Sequence, residues 1–65
     1  MSEFSDELKQ AIKEGFVVID EQNRMAVVAA NMSKLPDTAE GLLLLLRRSM
    51  GLRAELMTRH GYTVI

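Results

Sequence analysis

FVVIDEQNRMAVVAA, residues 16–30, is the stretch on which the fold turns. Phe16-Val17-Val18-Ile19 is an aromatic and β-branched run that suits a pleated strand. Asp20-Glu21-Gln22-Asn23-Arg24 is polar and turn-forming, and Met25-Ala26-Val27-Val28-Ala29 returns to apolar residues. Two short apolar runs split by a polar turn predict a β-hairpin. Asn23 is the natural occupant of a left-handed turn position, which asparagine tolerates better than most residues. The competing reading extends a helix from Met25 to Met32, because alanine and methionine favour helix. The hairpin is preferred.

Neither strand alternates between apolar and polar residues. Phe16 and Val18 point one way, Val17 and Ile19 the other, and all four are apolar. A strand of that kind is buried on both faces. The chain's own helix can cover one face, and a second copy is expected to cover the other. Val17 and Ile19 are therefore candidate self-association residues.

Working outward, residues 5–14 read as a short amphipathic helix. Ser5 caps it, Asp6 and Glu7 favour the positive end of its dipole, and Gly15 stops it. Phe4, Leu8, Ala11 and Ile12 recur at helical spacing along one side. Residues 31–37 form a loop. Asp37 with Glu40 then makes a variant capping box. The helix it opens runs from Thr38 to Ser49 at least, and to His60 if Gly51 does not break it. Gly61 terminates it, and Tyr62-Thr63-Val64-Ile65 reads as a short strand for the hairpin's edge, in its own or a neighbouring subunit. The expected fold is a single α+β domain over residues 1–65, in the order α-β-β-α-β, with an antiparallel hairpin packed on one long C-terminal helix.

Projected at 100° per residue, the apolar residues of 38–60 fill an arc of about 200°, twice the usual width of one buried face. Leu42, Leu45, Leu52 and Leu56 repeat at the 3-4 spacing of a helix–helix seam, with Ser49 as its small polar break. That seam is the expected self-association surface. Leu43, Leu46, Met50 and Met57 form a second stripe, expected to pack on the sheet. Arg53 falls inside the apolar arc with His60 beside it, and an unpaired buried guanidinium is costly. Three readings follow: a helix broken at Gly51, an Arg53 that snorkels out at a subunit boundary, or an Arg53–His60 site for an anionic partner group. Arg47, Arg48, Arg53, Arg59 and His60 are the candidate partner or ligand contacts.

Composition narrows the function. The chain has 65 residues, no cysteine and one histidine, so disulfides and thiolate zinc sites are excluded and a histidine cluster cannot form. A chain this short buries only about 60% of its unfolded surface. Yet 48% of its residues are hydrophobic, so a partner surface is the expected cover for the surplus. Net charge is −1, with six acids and three bases in residues 1–32 against three acids and five bases in residues 33–65. That balance does not suit a dedicated nucleic-acid binder. The four glycines, at 15, 41, 51 and 61, stand at least ten residues apart and build no phosphate loop, and no catalytic or metal motif is present. No cofactor is expected. No apolar run, Leu42 to Leu46 included, approaches the length of a membrane span, and the acidic amino terminus is not expected to be a signal peptide. The expectation is a cytoplasmic, non-enzymatic, homo-oligomeric module that binds another protein in a regulatory or inhibitory role. A nucleic-acid-binding regulator using paired arginine-bearing helices is the runner-up, and a small-molecule sensor at an intersubunit cleft near Arg53 and His60 comes third.

Overall fold

The computed structural model describes residues 3–30 and 35–65. Its elements are α1 (Asp6–Glu14), β1 (Val17–Asp20), β2 (Met25–Val28), α2 (Ala39–Arg59) and β3 (Thr63–Val64). This is the α-β-β-α-β order expected from the sequence.

Helix α1 starts where Ser5, in extended backbone, accepts the Leu8 amide on its hydroxyl oxygen at 3.1 Å. That bond satisfies one of the donors a helix start leaves open. The helix ends at Gly15, whose φ of 83° costs glycine little. Leu8 and Ala11 are buried along its inner side, with Phe4 and Ile12 packed beside them.

Strands β1 and β2 pair antiparallel, with Val17 opposite Val28 and Asp20 opposite Met25. Residues 25–28 are strand, not helix, and residues 31–32 of the rival helix lie outside the described residues. The left-handed turn position is filled by Arg24, at φ 54°, rather than by Asn23. Asn23 closes the turn in another way, since its side-chain and backbone nitrogens donate to the Asp20 carboxylate at 2.7 and 3.3 Å. Those bonds hold Asp20 below the usual carboxylate range. Arg24 is kept in its strained backbone region by its own side chain, which donates to the His60 carbonyl and stacks on the Tyr62 ring at 4.5 Å.

Strand β3 joins β2 of the same chain, and it runs parallel, with Met25 opposite Thr63 and Ala26 opposite Val64. The sheet is therefore mixed, in the order β1-β2-β3. Its direction follows from the connection: α2 carries the chain back before β3 begins, as a parallel pair requires. The Thr63 and Ile65 amides seal the pairing by donating to the Arg24 and Ala26 carbonyls, each at 2.8 Å.

Thr38, not Asp37, caps α2. Thr38 is the extended residue, and its hydroxyl accepts the Gly41 amide at 3.1 Å. The Asp37–Glu40 box therefore sits one residue out of step, and of the expected 31–37 loop only residues 35–37 are described. Gly41 leaves room for Pro36, since a Cβ there would stand 2.6 Å from the proline Cβ. The helix continues through Gly51 to Arg59 without a break. Its 21 residues span about 31 Å and account for most of the long dimension of a 38 × 18 × 18 Å molecule. Gly61, at φ 71°, ends it as expected, with the Tyr62 amide donating to the Leu56 carbonyl at 3.0 Å.

One core results. Val17, Ala26 and Val28 from the inner sheet face meet Leu8 and Ala11 of α1, Leu52 and Leu56 of α2, and Phe16 and Tyr62. Both helices lie on that face. The opposite face of the sheet carries neither.

Candidate functional site

The two stripes of α2 have exchanged roles relative to the sequence expectation. Leu52 and Leu56 are 2% and 0% exposed inside the chain's own core, and Leu45 packs against it. Ser49 is half-buried, and Leu42 stands at the margin of this face, partly exposed. The seam expected to hold a second copy is therefore the inner face of the monomer. The stripe expected to lie on the sheet faces outward instead: Leu43, Leu46, Met50 and Met57 are 51%, 59%, 67% and 50% exposed.

The rotation of α2 about its axis explains the exchange. Glu55 and Arg48, seven residues apart on one flank of the helix, are tethered to opposite ends of α1. Glu55 accepts from the Ser5 amide at 2.8 Å and from the Ser5 hydroxyl at 2.6 Å. Arg48 donates to Glu14 at 2.8 Å and stacks on the Phe16 ring at 4.7 Å. With that flank held against α1, Leu45, Leu52 and Leu56 turn inward and the Leu43–Met57 stripe turns away. Glu14 is lowered below the usual range by its bonds from Arg48 and Gln10.

Ala39, Leu43, Leu46, Met50, Arg53 and Met57 recur at 4-3-4-3-4 spacing, the repeat of a helix–helix seam. The first two turns of α2 are the most open part. Ala39, Glu40, Leu42, Leu43, Leu44, Leu46 and Arg47 are all exposed there, and only Gly41 and Leu45 are partly covered. Apolar residues around a whole helix signal burial by something outside it.

The outer sheet face is the second uncovered surface. Val18 and Val27, opposite one another across β1 and β2, point outward together with Ile65. Val17, expected in this role from the sequence, is 1% exposed on the inner face, and Ile19 packs on the core. The two faces of the strand are reversed with respect to that expectation.

The basic residues do not converge. Arg48 is engaged with Glu14 and Phe16, while Arg47, Arg53 and Arg59 are exposed and follow at six-residue intervals, which spaces them about 120° apart around the helix. One copy therefore cannot turn all three toward a single phosphate backbone. Arg53 and His60 do not share a site either. Arg53 is exposed, whereas the His60 ring is buried, edge-on to Phe4 at 4.6 Å and with its Nε2 3.5 Å from Glu55. The helix ends at Arg59, so His60 leaves the helical direction that the sequence projection assigns to it.

Ser5, Glu55 and His60 bring together a hydroxyl, a carboxylate and an imidazole. The Ser5 proton goes to Glu55 rather than to the imidazole, and its oxygen already accepts the Leu8 amide. This arrangement clamps two helices; it does not prepare a nucleophile. The sequence alone marks Ser5 as a cap. No local spacing signals a contact between residues 5 and 55. Among the described residues no group of three His, Cys, Asp or Glu side chains is arranged to hold a metal, and no helix is long and apolar enough to cross a membrane. Comparison with protein-family models, with curated proteins and with solved structures finds no match.

Proposed function

We propose that this chain is a cytoplasmic, non-enzymatic interaction module that self-associates through the outward stripe of α2 and acts on a larger protein partner by surface contact, in a regulatory or inhibitory role. One observation carries the proposal: Leu43, Leu46, Met50 and Met57 form a seam-spaced stripe that the chain's own fold leaves uncovered. Exposed apolar patches of that order mark interaction sites in soluble proteins. The cytoplasmic assignment is supported by the cysteine-free composition, since secreted domains of this size are typically disulfide-dense.

Light scattering across a concentration series tests the proposal. The wild-type chain is expected to move from single copies to a defined oligomer over the micromolar range. Leu46→Glu combined with Met50→Glu is expected to stay monomeric with an unchanged circular dichroism spectrum, because both side chains already face water. A wild-type chain that remains a single copy at millimolar concentration refutes the proposal.

A further inference from the structure

We infer that the occupant of the α2 stripe is the same stripe of a second copy, running antiparallel and overlapping only over Ala39–Met50. The inference rests on the self-association proposed above and adds direction and register to it.

Two charged features fix both. The first is Arg53, which occupies a seam position and is exposed. A long overlap would press its guanidinium into the partner's leucines, at a high desolvation cost. A short overlap avoids this. When Leu43 faces the partner's Leu46, and Met50 faces the partner's Ala39, the partner helix has already ended before it reaches Arg53. The seam then consists of Ala39, Leu43, Leu46 and Met50 from each copy, flanked by Leu42.

The second is the pair Glu40 and Arg47, which lie on the same flank of the stripe, one heptad apart. Both are exposed, and neither has an ion-pair partner among the described residues. One heptad is about 10 Å along the axis, beyond a bond within one helix. In an antiparallel pair, like flanks of the two helices meet. The short register then sets Arg47 beside the partner's Glu40, twice by symmetry. A parallel in-register pair instead brings Arg53 face to face with the partner's Arg53 at a core layer. Electrostatic complementarity of this kind selects orientation and register more than it adds affinity.

Direction and register also keep the two cores apart. Each core is attached to the inner side of its helix from Leu45 onward, so an antiparallel overlap of the outward stripes over the leading turns sends the bodies toward opposite ends. A seam of four residues from each copy is a small contact for a specific interface, so a weak, micromolar-range dissociation constant is expected.

Charge reversal followed by sedimentation tests the assignment. Arg47→Glu and Glu40→Arg should each weaken dimerisation about tenfold, and the double variant should return to within about twofold of wild type. Cross-linking is an independent readout, because the chain has no cysteine of its own. Mixed Leu43→Cys and Leu46→Cys chains should form a disulfide between copies. Met57→Cys should not link to itself, since the two positions stand more than about 30 Å apart in this register. A wild-type dimer whose double variant is as weak as the single ones, or whose Met57→Cys links readily, overturns the register and leaves self-association standing. A wild-type monomer removes both.

Discussion

The Glu55 carboxylate accepts both the backbone amide and the hydroxyl of Ser5, fifty residues away, at 2.8 and 2.6 Å. Ser5 is at once the cap of α1 and the anchor of α2. Ser5→Ala removes a helix cap, worth typically about 1 kcal/mol, and leaves a largely buried carboxylate without its hydroxyl donor. The expected loss is about 2–3 kcal/mol. Urea unfolding measures it, and a loss below about 0.5 kcal/mol would show that the link does not hold the helices.

The same contact makes stability depend on pH. Burial is the largest single influence on Glu55 and opposes its ionisation. The bonds from Ser5 and the neighbouring His60 together outweigh it and hold the carboxyl below its ordinary 4.5. A carboxyl whose folded pKa lies below its unfolded one stabilises the fold fully above the unfolded value, and this is lost as pH falls through the folded value. Melting temperature should therefore drop on acidification below about pH 4.5. Glu55→Gln should start less stable at neutral pH and show a shallower drop, as followed by thermal denaturation at a series of pH values.

Arg24 sits in left-handed backbone at φ 54° while its side chain spans to the His60 carbonyl and the Tyr62 ring. Arg24→Ala keeps the backbone strain and loses the restraint, for an expected cost of about 1–3 kcal/mol. Arg24→Gly loses the same contacts but relieves the strain, so it should be the milder variant by about 1 kcal/mol. The reverse order in chemical denaturation would mean that backbone strain at this position is negligible.

How far the sequence reaches is clear from these residues. The hairpin is legible to within a residue at its ends, read at 16–19 and 25–29 against the observed 17–20 and 25–28, because apolar runs flank a polar turn, and α1 is legible because Ser5 and Gly15 punctuate one apolar side. The stop of α2 at Gly61 is legible too, but not whether the helix runs unbroken through Gly51, which the structure shows it does. What is not legible is which of two apolar stripes of α2 faces inward. Periodicity gives both stripes, but the choice is made by Glu55 reaching Ser5 and Arg48 reaching Glu14, contacts 50 and 34 residues apart. The occupant of the left-handed turn position is hidden for the same reason: Arg24 is held by the far end of the chain.

Two glycines of α2 should respond in opposite directions to the same substitution. A Cβ on Gly51 meets nothing within 4 Å, so Gly51→Ala is expected to stabilise by about 0.5–1 kcal/mol through helix propensity. A Cβ on Gly41 lands 2.6 Å from the Cβ of Pro36 and 3.1 Å from the Thr38 hydroxyl. Gly41→Ala must displace the proline or the cap, and is expected to destabilise by about 1–3 kcal/mol despite the better helix former. Calorimetry of the two variants against wild type gives the signs directly.

Leu52 and Met50, two residues apart on α2, should separate folding from association. Leu52 is 2% exposed in the core and Met50 is 67% exposed on the outward stripe. Leu52→Ala removes buried methyl groups and leaves a cavity, for about 2–5 kcal/mol. Met50→Ala removes a side chain that packs on little of its own chain, so the monomer should lose no more than about 0.5 kcal/mol, while the oligomer loses part of its seam. In dilute protein the first variant should therefore melt much earlier and the second close to wild type. At concentrations where copies associate, Met50→Ala should also lag behind wild type, because an oligomer gains stability with concentration. If both variants behaved alike at every concentration, the inward and outward faces of α2 would have been assigned wrongly.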